Sequence, residues 1–279
     1  MYNKEFSKIY KDSGWELFAD VFGNFLIKYF VKKEKPILSH LDLACGTGYL
    51  CNLFNSFNIE TSGMDISESM LEIARKSYPN ITFTQGDMID FKNLKKVDLV
   101  TCTCDSLNHL SSLTNVQNAV KTAYKNLNEN GYFAFDIVNT RKIRLEKTYG
   151  FKTEHGDIEY YFTINDDDKL ITNITVTDNN GKEYKKKIEE LAINKSDMNS
   201  ILTEVGFKIE KVYPSIKATG TKLNLKWFYI CKKETPKKKK EMVKYEKRSK
   251  IWKNFIWPIF KGLSRKLPKS RHKHNNWLL

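Results

Sequence analysis

The chain has 279 residues, 41% of them hydrophobic, which is enough for one large domain with its own core. Its net charge of +14 lies in one place, because residues 232–279 hold 17 Lys and Arg against 3 Asp and Glu, and residues 1–231 hold 30 of each sign. The neutral body is that of an ordinary globular domain, and its charge gives no reason to expect an acidic partner.

The five Cys residues exclude a simple disulfide framework, because their number is odd and their spacing irregular. Cys102 and Cys104 lie two residues apart on one face of a predicted strand, and too few His residues are near for a metal site. We therefore predict reduced thiols in a cytoplasmic protein. The polar N-terminus predicts no secretory signal, and without an uncharged apolar stretch of 18 residues no membrane span is predicted.

Apolar residues recur with a helical period through residues 4–31 and predict two helices, broken near residues 12–14. A helical cap in front of a first strand usually lies over a ligand crevice. Tyr10 and Trp15 are the residues of interest in this cap. Either they pack in the core, or they place an aromatic face or a hydroxyl beside a bound ligand.

Residues 37–49 read as a strand, a Gly-containing turn and the start of a helix. This is the first unit of a doubly wound α/β sheet, whose ligand crevice lies at the carboxyl end of the strand. Gly46 and Gly48 in the turn would let the backbone approach a ligand where a Cβ would collide. The turn has neither the spacing of a dinucleotide fingerprint nor the Gly-Lys-Ser/Thr of a phosphate-binding loop.

Polar residues stand at the ends of the next two predicted strands. Residues 59–64 form the second strand, with Asp65 at its tip, where a carboxylate can accept both hydroxyls of a ribose. Residues 81–84 form the third strand, and Asp87 and Met88 follow it closely.

The fourth strand, residues 97–103, is a continuous apolar run typical of a central parallel strand. It leads into the loop 104–110, which reads Cys-Asp-Ser-Leu-Asn-His-Leu. A helix is predicted over residues 116–127, and Asn130-Gly131 makes a turn into the fifth strand, residues 132–137.

The sequence Asp42-x-x-Cys-Gly-Thr-Gly48 resembles motif I of class I S-adenosylmethionine (SAM) methyltransferases, with Ala44 where many members have Gly. The resemblance covers residues 1–232, and its motifs occur in the right order. It implies a seven-stranded Rossmann-like sheet with SAM as cofactor, ribose at Asp65, and adenine at Asp87 and Met88. The cofactor-binding residues that it implies are Asp42, Ala44, Gly46, Gly48, Asp65, Ile66, Asp87, Met88, Cys104 and Trp15.

The loop 104–110 is similar to that of a bacterial group of small-molecule methyltransferases with Cys-Asp-Ser-Leu-Asn-Tyr/His-Leu. It is neither the Pro-Pro-Tyr loop that grips an exocyclic amine of a nucleic acid nor the Pro-Cys of a covalent cytosine mechanism. Methyl transfer needs a base with a pKa near neutrality, and among the five His only His109 lies on this loop. We predict His109 as the general base or the group that orients the acceptor. Tyr10 is a second candidate, through an approximate match to the N-terminal tyrosine of aminosugar N-methyltransferases.

The pattern changes after the fifth strand to an alternation of apolar and polar residues, which predicts antiparallel hairpins. This insertion, residues 151–193, resembles the lid of the glycine and aminosugar N-methyltransferases, which covers the substrate cavity. A helix over 195–202 with Ser196 as its N-cap, and strands over 206–213 and 225–231, would complete the seven-stranded sheet, so that the domain ends at residue 232.

The remaining sequence divides into a charged linker, residues 233–248, and a basic amphipathic tail, residues 249–279. Within the tail, residues 249–267 combine an apolar, Trp-containing helical face with lysines and arginines, although Pro258 should kink or split the helix. Such a segment favours an anionic membrane surface. Docking on protein and binding to nucleic acid are the alternatives that the sequence leaves open.

These features favour a SAM-dependent methyltransferase that acts on N or O of a small-molecule or lipid-linked acceptor, at the inner face of the membrane if the tail is interfacial. An RNA methyltransferase with a basic tail and a non-catalytic SAM-binding subunit recruited to membranes are the alternatives. The neutral body and the missing amine-gripping loop count against nucleic acid, because most phosphate contacts would have to come from the tail.

Overall fold

The computed structural model describes residues 16–138, 146, 148–153, 156–165, 169–214 and 226–234. The predicted site residues Tyr10 and Trp15, and the predicted tail, lie outside these residues. No helix in the described ranges is both long and apolar enough to cross a membrane.

The described chain forms eleven strands, five α-helices and a short 3-10 helix. The strands are β1 (Ser39–Leu43), β2 (Glu60–Asp65), β3 (Thr82–Gln85), β4 (Val97–Cys102), β5 (Leu127–Val138), β6 (Thr148–Thr153), β7 (Gly156–Ile164), β8 (Leu170–Asp178), β9 (Glu183–Glu190), β10 (Phe207–Pro214) and β11 (Lys226–Lys233). The helices are α1 (Glu16–Lys32), α2 (Tyr49–Asn55), α3 (Glu68–Ser77), α4 (Leu113–Asn126) and α5 (Lys195–Val205), and the 3-10 helix is Ser106–His109.

Seven strands form the main sheet in the order β3-β2-β1-β4-β5-β11-β10. Strands β1 to β5 run parallel to their neighbours, and β11 pairs antiparallel with both β5 and β10. The strand order reverses between β1 and β4, which is where ligands bind in open α/β sheets. The predicted seven-stranded Rossmann-like sheet is therefore confirmed.

Alternate residues of the central strands feed two apolar layers, one on each face of the sheet. On β4, Leu99 faces the layer that contains Phe22, while Val100 faces the layer that contains Phe133. All four side chains are fully buried, so the sheet is covered on both sides. A sheet held in this way is a rigid base for the loops at its carboxyl edge.

Strands β6 to β9 form a separate antiparallel sheet, which we call the lid. Its edge strand β9 leads to Leu191, whose amide donates to the Asn108 carbonyl at 2.6 Å. The side chain of Asn108 is buried and donates from Nδ2 to the Leu191 carbonyl at 2.9 Å, while Oδ1 accepts from the Val138 amide at 3.1 Å. Asn108 therefore joins the lid, the end of β5 and the loop 104–110.

Several predicted boundaries differ from the structure for local reasons. The predicted turn at Asn130-Gly131 lies inside β5, where Asn130 has φ of 61° and the pairing with β4 shifts register, so it is a bulge. The N-cap of α5 is Asn194 and not Ser196, because the Asn194 side chain accepts from the Asp197 amide at 2.9 Å. The lid contains a fourth strand, β6, that begins before the predicted insertion.

The end of the main sheet also differs, since β11 continues through Lys233, one residue past the predicted boundary of the domain. The Lys233 ammonium is almost fully buried and donates to the carbonyls of Tyr124 and Leu127 at 3.1 and 3.2 Å. Lys233 thus belongs to the folded domain and stabilises the end of α4.

Candidate active site

A cavity of about 400 Å³ opens at the carboxyl ends of β1, β2 and β4, which is within the usual size of small-molecule sites. Eight of the predicted cofactor residues line it: Asp42, Ala44, Gly46, Asp65, Ile66, Asp87, Met88 and Cys104. His109, predicted for catalysis, lines the same cavity, together with Lys186 to Glu189 of β9. One cavity thus connects the strand tips, the loop 104–110 and the lid.

Gly46 and Gly48 have different surroundings in the turn after β1. Both have positive φ, 54° and 79°, which favours glycine. A Cβ on Gly46 would meet no atom within 4 Å, and Gly46 lines the cavity, whereas a Cβ on Gly48 would lie 2.6 Å from the Phe83 ring. Gly48 is not among the lining residues and allows α2 to pack on β3, whereas Gly46 is the glycine that borders the cavity.

Ala44 also has a positive φ, of 57°. A residue with a Cβ is strained in this backbone region, which explains why many methyltransferases have glycine at this position of motif I. Ala44 therefore adds strain at the wall of the cavity.

Asp65 holds the turn against the tip of β2. Its Oδ2 accepts from the Gly46 amide and its Oδ1 from the Ser67 amide, each at 2.8 Å. Burial raises the pKa of Asp65, while the hydrogen bonds from Ser67 and Gly46 lower it. Since each carboxylate oxygen can accept more than one hydrogen bond, Asp65 can hold the turn and still receive hydroxyl groups from the cavity.

Asp42, at the floor of the cavity, is held by a buried chain of hydrogen bonds. The Thr101 hydroxyl donates to Asp42 Oδ1 at 2.5 Å, so it must accept from His40 Nε2, which lies 2.7 Å away. Burial lowers the pKa of His40 to about 3, which keeps the ring neutral. Burial also raises the pKa of Asp42 to about 7, although the Thr101 hydrogen bond lowers it.

The loop after β4 turns sharply toward the cavity. Cys104 and Asp105 have φ of 58° and 52°, so two consecutive residues occupy the left-handed region. Cys104 consequently lies outside β4 and does not share a strand face with Cys102, contrary to the prediction. The turn brings His109, whose side chain is 31% exposed, to the wall of the cavity.

Ionisable groups from four elements surround His109. Asp105 Oδ1 lies 4.0 Å from His109 Nε2. One carboxylate oxygen each of Asp105 and Glu190 and one ring nitrogen of His109 lie within 4.8 Å of one another. Lys226 and Asp136 lie beside Asp105. Partial burial lowers the pKa of His109, Asp105 raises it and Lys226 lowers it, and the net direction is downward.

Sequence reasoning did not find Asp136, Glu190 and Lys226, because they come from three distant strands. One signal was present, since Asp136 is the single charged residue in the apolar run 132–138 of β5. An acidic residue in a central strand is costly to bury unless it has a partner, so it marks a polar site.

Comparison with known proteins agrees with this geometry. The family described as "Methyltransferase domain" matches residues 34–220, which is more than half of the chain. A Bacillus subtilis relative named "Putative methyltransferase YqeM" is 28% identical over 183 residues, which are 62% of this chain and 74% of that protein.

Two further proteins are informative. The Streptomyces venezuelae dTDP-3-amino-3,4,6-trideoxy-alpha-D-glucopyranose N,N-dimethyltransferase is 37% identical over 102 residues, which are 36% of this chain and 43% of that enzyme. The chain therefore matches less than half of that enzyme's length. The crystal structure of a SAM-dependent methyltransferase from Clostridium acetobutylicum superimposes with a TM-score of 0.70 at 22% identity, covering 83% of this chain and 98% of that one. By the family match, the chain belongs to the SAM-dependent methyltransferases.

Proposed function

We propose that the protein methylates an amine nitrogen of a small, sugar-like acceptor, with His109 as the general base. The observation that carries this proposal is the single cavity that connects the strand tips to His109 and to β9 of the lid. The likeness to the Streptomyces N,N-dimethyltransferase supports an amine acceptor, although it covers less than half of that enzyme.

The cofactor would bind at the strand-tip end of the cavity. SAM supplies a methyl group that is already activated on a sulfonium. Asp65 would accept hydrogen bonds from the ribose hydroxyls, and Asp87 and Met88 would contact the adenine. The backbone of Gly46, which has no Cβ, would lie against the cofactor. The open space next to Gly46 and the buried acceptors Asp42 and Asp65 fit this group, since both polar recognition and close approach are available.

The acceptor would enter on the lid side, between His109 and Ile188. The amine nitrogen would take the methyl group that SAM supplies, and the His109 imidazole would accept the proton that the amine loses. A neutral His109 suits this role, and the rate should rise with pH through a pKa below 6.5. Positioning between the loop and the lid supplies much of the remaining acceleration.

Methyl transfer to a panel of nucleoside-diphosphate aminosugars, followed by mass spectrometry of the products, tests the proposal. The wild type should add one or two methyl groups, and His109→Gln should lower kcat about 100-fold or more while the affinity for SAM stays within twofold. Glu183→Gln, at the exposed start of β9 and outside the lining of the cavity, is the matched control and should keep its rate. Transfer to RNA instead of aminosugars would support the RNA alternative, and cofactor binding without transfer to any acceptor would support a non-catalytic role.

We also propose that the tail, which lies outside the described residues, binds an anionic membrane surface through residues 249–267. The support is the sequence pattern of apolar and basic residues. Flotation with phosphatidylserine-containing liposomes should carry the full chain upward, and replacing Trp252 and Phe255 by Glu should abolish it. Equal flotation of both proteins would overturn the membrane role, and with it the lipid-linked acceptor.

A further inference from the structure

Lys226 lies between two carboxylates behind the loop 104–110. Its Nζ is 2.7 Å from Asp105 Oδ2 and 3.1 Å from Asp136 Oδ2. Asp136 is fully buried, and its Oδ2 also accepts from the Asp105 amide at 2.9 Å. The lysine and Asp136 therefore hold both the side chain and the backbone of Asp105.

The position of Lys226 is fixed by the elements around it. It begins β11 opposite Val138 of β5, and its ammonium lies 3.9 Å from the centre of the Phe18 ring of α1. The side chain is 18% exposed, so the ion pairs are only partly screened by water. Burial lowers the pKa of Lys226, but Asp105 and Asp136 outweigh burial and raise it, so the lysine stays charged.

Lys226 and His109 both lie close to the Asp105 carboxylate. Lys226 lies 2.7 Å from one carboxylate oxygen, while His109 lies 4.0 Å from the other. A carboxylate close to an imidazole favours the protonated ring, which cannot act as a base. A charged lysine closer to the same carboxylate offsets this effect.

We propose that Lys226 is a positioning residue that draws Asp105 away from His109 and so keeps the imidazole unprotonated. This inference rests on the proposed role of His109 as the base. Lys226 would also hold the left-handed turn at Cys104 and Asp105, because its partner Asp136 binds the Asp105 amide.

The other charged groups around His109 are consistent with this balance. Asp105 comes from the loop itself, Asp136 from β5, Glu190 from β9 and Lys226 from β11. Burial and the nearby Asp105 raise the pKa of Glu190 to about 8, so at neutral pH this group is largely uncharged. The lysine is therefore the cation that balances Asp105 and Asp136 among these described groups.

The pKa of His109 can be measured without knowing the acceptor. The full chain, labelled with ¹³C-histidine and saturated with S-adenosylhomocysteine, is titrated by NMR, and His109→Gln assigns the signal. The wild-type pKa should lie below about 6.5. Lys226→Met should raise the pKa of His109 by about one pH unit or more, to a value above the pKa of a solvent-exposed histidine.

The second substitution separates charge from loss of structure. In the Lys226→Met background, Asp105→Asn should bring the pKa of His109 back down. The single variant Lys226→Arg keeps the positive charge, so its His109 should have the wild-type pKa. A loop that had merely unfolded would give a pKa of about 6.5 that Asp105→Asn does not move. Lys226→Gln provides the same cycle if Lys226→Met does not fold, as judged by its affinity for S-adenosylhomocysteine.

The outcomes separate this inference from the proposed function. An unchanged or lower His109 pKa in Lys226→Met overturns the role of Lys226, even if His109→Gln abolishes methyl transfer. A raised pKa together with an active His109→Gln enzyme would instead refute the base assignment, and would leave Lys226 as a group that sets the charge of His109.

Discussion

The buried carboxyl group of Glu190, in the lid, links the stability of this protein to pH. Glu190 is 6% exposed, its Oε2 accepts from the Thr172 hydroxyl at 3.2 Å, and its pKa is raised from 4.5 to about 8, first by burial and then by Asp105. A raised carboxyl pKa means that the folded protein binds a proton more tightly than the unfolded chain. The contribution is therefore complete below pH 4.5 and is lost as the pH rises through 8.

Glu190→Gln removes this dependence, because the amide keeps the acceptor oxygen for Thr172 and cannot ionise. At pH 8.5 the variant should be more stable than the wild type by about 2–3 kcal/mol, and at pH 4.5 the difference should disappear. Urea unfolding of both proteins at several pH values between 4.5 and 8.5 measures this difference in the free energy of unfolding. Glu159→Gln is the control, since that side chain is exposed on β7; a similar pH dependence in both variants would contradict the assignment.

The two glycines of the turn after β1 show how one element serves packing and binding separately. Gly48 is enclosed by Phe83 and Ala74, while Gly46 faces the open cavity. Gly48 begins α2 in the left-handed conformation, so its missing Cβ lets the helix approach β3. The same short sequence motif thus contains one glycine needed for packing and one that faces the cavity.

Gly48→Ala should lower the free energy of unfolding by about 2 kcal/mol or more, because backbone strain adds to a 2.6 Å contact with Phe83. Gly46→Ala should lower it by about 1 kcal/mol, from backbone strain alone, yet weaken S-adenosylhomocysteine binding tenfold or more. Chemical denaturation and calorimetry on both variants distinguish the two losses. Equal binding defects in two equally stable variants would argue against this division of roles.

The start of α5 provides a test of a corrected boundary. Asn194→Ala should cost about 1 kcal/mol of stability, because the Asp197 amide loses its side-chain acceptor. Ser196→Ala should change stability by less than about 0.5 kcal/mol, since Ser196 is exposed inside the first turn. Thermal and urea unfolding of the pair measure the difference, and a larger loss for Ser196→Ala would restore the predicted cap.

The sequence predicted those parts of the element pattern that depend on local signals. Apolar runs ending at Asp65 and at the loop 104–110 identified the parallel strands, and the order of motifs predicted the edge of the sheet at which the cavity opens. The Asn130 bulge was missed because Asn-Gly signals a turn equally well when it interrupts a strand. The cluster around Lys226 was missed because its members meet only after β5, β9 and β11 have been placed in space.

At the scale of the whole molecule, the methyltransferase domain continues slightly further than composition suggests. The lysine-rich composition begins at Lys232, yet Lys233 is buried and pairs with Phe207 of β10 across the sheet. Its ammonium also bonds to the end of α4 and lies 3.4 Å from Glu129 Oε1. A lysine in a basic run can therefore be part of the core, since its stem packs while its head finds carbonyl acceptors.

Chains truncated after Glu234 and after Lys232 should differ in stability. The longer one should unfold with the same free energy as the full chain, while the shorter one should lose about 1–3 kcal/mol, because buried carbonyls of Tyr124 and Leu127 lose their donor. Urea unfolding of the three chains is the measurement. Lys233→Met in the full chain isolates the side chain, and an unaffected stability there would refute its structural role.

The hydrogen bonds of Asn108 have a consequence for how this enzyme could acquire new acceptors. Because Asn108 of the loop 104–110 is hydrogen-bonded to Leu191 at the end of β9, mutations that reshape β9 would also displace His109. Strands β6 and β7 lie at the far edge of the lid and bear no such constraint in the described structure. We expect acceptor range to diversify through the outer hairpin of the lid, while β9 and Asn108 change slowly. Deep mutational scanning for cofactor turnover would show this as tolerance that decreases from β6 to β9.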